Sequence, residues 1–525
     1  MIRKIIDKLK HIISGFKIKP FTYLIILAII FPLFLAFNNI LGGSIPFWFD
    51  PARDFLLAID NLHKPTLIGQ PTGIPGVFYG PYWIWLISLA LIISKDPRFV
   101  AFIILLLPYF TIFPYILFKF SRVFSLRICL LLWLLFIFAC QSYTTFLWNP
   151  HLTPLFFLVL VYLIFNVIQP DMSFKQYLKL FIGGIMAGLI LNFHMSFGSG
   201  ILTASVIFLS LIIIFYMIKS KNRGRMLING VLSIVIFIVG LLLTLIPYVI
   251  FELRHNFLQS RSLFTTIVNA IVYNSASVGQ TGLKPNEIIW QLFIIKPAQM
   301  LSINKELMIP IYLLTLFIII FLYIKKKISF TREEKNILLY LLLCFVILTK
   351  LYISSKNPVW DYHFIGTEIL FIILLGIILK KIRFLEKVLI IWVSFLVLLS
   401  GTNYIRSFSN NPYAVSSLAT KKYIVNLIYK NAGNNPFVIY VYSPAIYTYD
   451  FDYLRLWLGK DIKNDLSGKD INKADFVYLI IPQTKNEIKS DFINYKTPQS
   501  RYKTVKEWHI SDGTSIIKRS PININ

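Results

Sequence analysis

Apolar residues in this chain run unbroken for about twenty positions at a time and then give way to short, often basic, segments. A bilayer core about 30 Å thick takes about 17–25 apolar residues per helix. Eleven runs meet that need: 20–41, 99–119, 127–147, 153–169, 178–196, 200–218, 227–250, 308–324, 336–353, 363–379 and 385–403. A twelfth stretch, 81–94 (PYWIWLISLALIIS), has only fourteen residues. Charge decides its status. If it stays on one side, the amino-terminal arm and segments 119–127, 170–179, 219–226, 325–335 and 380–387 fall on the same side, and each is rich in Lys or Arg. That is the cytoplasmic side by the positive-inside rule, so 81–94 reads as a juxtamembrane or re-entrant helix on the outer face. The first run is too long for a cleaved signal core and reads as an uncleaved span.

An odd number of spans places the two ends on opposite sides. Residues 1–405 form the multi-span unit, with long outer loops at 42–98 and 251–307, and 406–525 form an extracytoplasmic tail. There the pattern changes: 414–432 predicts an amphipathic helix stopped by Gly433, and 437–442, 476–481 and 502–510 predict strands. The fold class is thus a polytopic α-helical membrane protein of about eleven spans with a small α/β domain outside the cell membrane.

Composition agrees. Of 525 residues 57% are hydrophobic and 14% charged, with a mean hydropathy of +0.69; soluble chains carry about 25% charge. The formal charge of +28 does not point to nucleic acid, because the cations sit in short clusters between apolar runs, where anionic lipid headgroups attract them. Cys129, Cys140 and Cys344 lie inside apolar runs without metal-ligand spacing. Walker A, HExxH, CxxC and GxSxG motifs are absent, which leaves nucleotide hydrolysis, zinc proteolysis and serine-type acyl transfer unsupported.

Candidate chemistry collects at the outer face. The first loop opens WFDPARDFLLAID, in which Pro51 suits a first helical position with Asp50 as its cap. Asp50 and Asp54 then share one helix face, with Arg53 between them. An acid there can act as general base and the guanidinium can hold a phosphate; a capped, solvated helix is the structural alternative. Further candidates are Asn149 and His151 (WNPHLTP), His194 (NFHMSFG), Tyr362 and His363 (WDYHF), and Arg254 and His255 beyond the seventh span. Each also has an ordinary reading as a cap, an interfacial residue or a headgroup contact.

The order of these features resembles the GT-C superfamily, in particular the branch holding the protein O-mannosyltransferases and the lipid A aminoarabinose transferase. The resembling features are an acid after the first span, an Ala-bearing helix, a Gly/Pro loop, and Gly80-Pro81-Tyr82 opening a short apolar helix. They cover about residues 20–250. The resemblance implies a glycosyltransferase that takes a hexosyl or pentosyl unit from a polyprenyl-phosphate donor to an acceptor hydroxyl outside the cell, with inversion. Asp50 matches the branch's catalytic base, Pro51 replaces its usual second acid, and Asp54 falls one turn on. Arg53, Arg254, His255, Tyr362 and His363 become candidates for the lipid phosphate. Asn149, His151, His194 and Tyr82 become candidates for sugar or acceptor. Many members carry a further acid in the next outer loop for metal or acceptor; here that loop has none, which leaves a divalent metal open. A polysaccharide polymerase or ligase, a secondary transporter and a membrane scaffold are the rival classes. The near absence of charge inside the spans weighs against the transporter.

Overall fold

The computed structural model describes residues 20–165, 172–219, 222–272, 282–355, 358–410, 417–444, 447–468 and 471–522. The basic arm 1–19 and parts of segments 170–179 and 219–226 fall outside the described residues.

Seven helices among the described residues are long and apolar enough to cross a membrane, and four shorter apolar helices accompany them. In chain order the structure runs α1 (Pro20–Leu41), α2 (Phe49–His63), α3 (Tyr82–Ile93), a bent span α4 (Pro97–Arg122), α5 (Leu126–Ala139), α6 (Thr153–Ile164), α7 (Phe174–Phe193), α8 (Met195–Lys219) and α9 (Arg223–Arg254). It continues with α10 (Met308–Ile324), α11 (Arg332–Ile353), α12 (Thr367–Lys381) and α13 (Arg383–Asn410).

Local chemistry sets the ends. Asp96 caps α4, its carboxylate accepting from the Arg98 amide, with Pro97 following. Thr331 and Glu334 form a capping box at the start of α11. The expected span 127–147 is interrupted: α5 stops at Cys140, and a separate turn, Ser142–Thr145, follows. The chain bends there and gathers Tyr143, Phe146 and Trp148 around His151. α7 and α9 approach so closely that a Cβ on Gly184 would sit 1.9 Å from the Phe237 carbonyl oxygen, as small residues permit in membrane helices.

The two ends of the bundle differ. At one, Lys380 and Lys381 bind Glu334 and Arg332 lies over Tyr216. At the other lie α2, α3, the loop 64–80 and the carboxy-terminal domain. The expected short apolar helix at 81–94 is α3. It packs on α2 by a Ser88 hydroxyl donating to Ala58 O and Asn61 donating to Ser88.

The carboxy-terminal domain comprises α14 (Leu418–Ala432), α15 (Tyr449–Leu458), α16 (Asn486–Lys496) and a four-stranded sheet of order β1-β2-β4-β3, with β1 Phe437–Val441, β2 Phe476–Ile481, β3 Tyr502–His509 and β4 Ser515–Pro521. β1 and β2 are parallel and the remaining pairs antiparallel. Gly433 ends α14 with φ +58°. The domain seats directly on the first loop: Leu418 and Ala419 amides donate to Ile45 and Gly43 carbonyls, and Lys421 reaches both Phe47 O and Asp450.

Candidate functional site

α2 starts two residues earlier than its sequence indicates. Trp48 is its cap and Asp50 lies inside the first turn, where the helix dipole favours a carboxylate. The two acids of α2 have different surroundings. Asp54 is wholly buried; its Oδ1 accepts from Arg53 Nε at 3.0 Å and Nη2 at 2.8 Å, and its Oδ2 accepts from Trp83 Nε1 at 2.8 Å. Burial raises the Asp54 carboxyl from its ordinary 3.8 to about 6, against the pull of Arg53. Asp50 keeps 35% of its side chain exposed and meets Arg53 Nη1 at 2.9 Å. One guanidinium therefore bridges both carboxylates and fixes the outer one. Arg53 stands where a cation between the acids would sit, and no group of three or more His, Cys, Asp or Glu able to hold a metal occurs among the described residues.

Around Asp50 the fold gathers residues far apart in sequence. Burial and, to a lesser degree, the nearby Asp50 carboxylate keep the Tyr362 and Tyr79 hydroxyls protonated. The Tyr362 ring stacks on His363 at 4.2 Å between centroids and meets Trp148 edge-on at 5.5 Å. His194, fully buried, lies 6.4 Å from Tyr362 and 6.3 Å from His363. His151 packs edge-on to Trp148 at 5.6 Å and its Nδ1 pairs with Phe146 O.

Other candidates are used structurally. Asn149 donates to Phe193 O at 2.6 Å, tying the WNPH loop to α7. Tyr82 donates its hydroxyl to Thr244 O on α9. Arg254 and His255 are exposed, and the His255 ring stacks on Phe251 at 4.1 Å, so neither joins the Asp50 cluster by a described contact. Gly80 is required where it stands, since a Cβ would fall 1.8 Å from Asn192 Oδ1.

Sequence reasoning passed over Tyr79, Trp148 and a buried ion pair. Glu368 on α12 accepts the Tyr143 hydroxyl at 2.8 Å and the Gly366 amide at 2.7 Å, and Lys296 approaches it at 3.6 Å. The signal was present: Glu368 is a lone carboxylate inside an otherwise apolar run.

No family model and no curated protein sequence matches the chain. Among solved structures, the chain is similar to ArnT from Cupriavidus metallidurans in the apo state, with 9% identity and a TM-score of 0.54 over 95% of this chain and 97% of that one. It is similar also to that protein bound to undecaprenyl phosphate, with 9% identity and a TM-score of 0.52 over 95% and 98%. At that identity the likeness speaks for architecture, and it runs over both the helical bundle and the carboxy-terminal domain. The chain is a multi-pass membrane protein with the fold of ArnT.

Proposed function

We propose that this protein is a membrane glycosyltransferase that moves a sugar from a polyprenyl-phosphate donor to an acceptor hydroxyl on the extracytoplasmic face, with Asp50 as general base. One observation carries the reading: a partly exposed carboxylate, braced through Arg53 by a buried Asp54–Trp83 pair, neighbours Tyr362, itself stacked on His363, at the end of the bundle away from the basic segments. The likeness to a protein crystallised with undecaprenyl phosphate supports a lipid-phosphate donor.

In the reaction the acceptor oxygen attacks the anomeric carbon as Asp50 takes its proton. The bond from that carbon to the phosphate oxygen breaks, and the lipid phosphate leaves with the electron pair. A single displacement inverts the anomeric centre. Arg53 is committed to the two carboxylates, so its task here is to orient Asp50. Hydrogen-bond donors for the leaving phosphate come from Tyr79 and Tyr362, which neighbour the carboxylate, and from His363, stacked on Tyr362. The polyprenyl tail lies in the bilayer beside the apolar helices.

The test is direct. Detergent-solubilised protein is incubated with polyprenyl-phosphate sugars and the lipid fraction is followed by mass spectrometry. The reading expects one lipid-linked sugar to be bound and, with acceptor present, converted to free polyprenyl phosphate. Failure of every such lipid to bind would remove the proposal.

A further inference from the structure

Beside the Asp50 cluster a cavity of about 340 Å³ opens between the turn after α5, the segment 296–300 and the start of α12. That lies in the range of about 300–1,000 Å³ typical of small-molecule sites. Its walls are aromatic: Tyr143, Phe146, Trp148 and Tyr362. Two of these reach the catalytic helix, because Trp48 packs on Phe146 with ring centroids 4.7 Å apart and Tyr362 neighbours Asp50. The cavity and the carboxylate thus share one aromatic partition.

Its floor is ionic. Glu368 is 2% exposed, and its two oxygens are taken by the Tyr143 hydroxyl and the Gly366 amide. Lys296 stands 3.6 Å from it, beyond good hydrogen-bond length, so the ammonium keeps donors to spare facing the cavity. Buried ion pairs between membrane helices seldom add stability and are usually held for a ligand or a switch. At the rim stands Asp361, which is exposed. One cation thus faces two carboxylates, an excess of negative charge that opposes an anion in this space.

We propose that this cavity is the subsite for the transferred glycosyl unit, and that Asp361 and Glu368 make it select uncharged sugars over acidic ones. Aromatic walls suit the apolar faces of a sugar ring, and Lys296 donates to its hydroxyls. The phosphate stays outside, by Asp50 and Tyr79. The inference rests on the glycosyltransferase reading and names its donor class.

The experiment uses the full chain in nanodiscs, titrated with undecaprenyl phosphate alone, its glucosyl and mannosyl derivatives, and its glucuronosyl derivative, with binding read by tryptophan fluorescence. We expect at least one neutral glycosyl lipid to bind about tenfold tighter than bare undecaprenyl phosphate, and the glucuronosyl lipid to bind no tighter than the bare one. Ser142→Trp, which fills the cavity mouth, should abolish the neutral sugar's advantage and leave bare lipid affinity unchanged. Asp361→Asn, at an exposed position, should raise glucuronosyl affinity about threefold or more. Equal binding of all these lipids, or a Ser142→Trp loss shared by all, would overturn the subsite while leaving the transferase reading intact. Failure of bare and glycosylated lipids alike to bind would overturn that reading and the subsite with it.

Discussion

Asp50 and Asp54 differ by one helical turn and by nearly everything else. Asp54 is buried with three donors on its carboxylate, so its oxygens are occupied and its task is to hold Arg53 and Trp83. Asp50 keeps lone pairs open to an acceptor. Sequence spacing put both acids on one face, but it could not rank them, because the rank comes from Trp83, 29 residues away. A pH dependence follows. With its carboxyl raised to about 6, folded Asp54 keeps its proton where the unfolded chain, at 3.8, has released it. The folded state therefore gains stability as pH falls from 6 toward 4 and loses it as pH rises through that window. We expect melting curves between pH 4 and 7 to show this slope in the wild type, on the order of 3 kcal/mol at full extent, and a flatter profile in Asp54→Asn. An identical slope in both proteins would contradict the assignment.

At the scale of elements, α2, which bears Asp50, is clamped from both sides. α3 holds it through Trp83, Ser88 and Asn61. α15 of the carboxy-terminal domain holds it through Tyr453, which is fully buried, packs on Phe55 and Phe47 with centroids 5.0 and 5.7 Å away, and donates its hydroxyl to Lys95 O. Tyr453→Ala leaves a cavity there and should cost about 3–5 kcal/mol, seen as faster proteolytic release of the carboxy-terminal domain and a fall in transfer activity. Tyr453→Phe removes one hydrogen bond and should cost about 1 kcal/mol. If proteolysis of the alanine variant matched wild type, the clamp would be an idle contact.

Much of this layer was legible in the chain. α14 and three of the strands follow from turn residues and apolar runs. β4 was missed because SIIKRSP mixes cations into its apolar positions: Lys518 and Arg519 are buried, their heads held by Asn431, Thr504 and the carbonyls of Thr497 and Tyr502. The break at Cys140 was passed over although Gln141-Ser142-Tyr143-Thr144-Thr145 follows it, because that short polar stretch lies between apolar residues on either side. What ends α5 there is packing of Tyr143 against His151 and Glu368, a tertiary effect.

For the whole molecule, the described basic segments and α2 lie at opposite ends of the bundle, as the loop charges anticipated. The exposed Lys64, just after α2, and the exposed Lys326, after α10, mark these ends. The three native cysteines are buried. A membrane-impermeant maleimide should therefore label Lys64→Cys in intact cells and Lys326→Cys only after the membrane is opened. The reverse pattern would turn the site toward the cytoplasm and end the proposal of an extracytoplasmic transferase. Site residues came from helix ends and loops scattered between positions 48 and 368; their order along the chain suggested a site, while the company each one keeps emerges only when the bundle closes.

The most direct measurement is the rate at which reconstituted protein transfers sugar from its polyprenyl-phosphate donor, compared between wild type and Asp50→Asn. We expect the asparagine variant to bind the donor as before and to lose turnover by about 10²–10⁴-fold, the range for loss of a general base. Turnover within a few-fold of wild type, with the fold intact, would contradict the account.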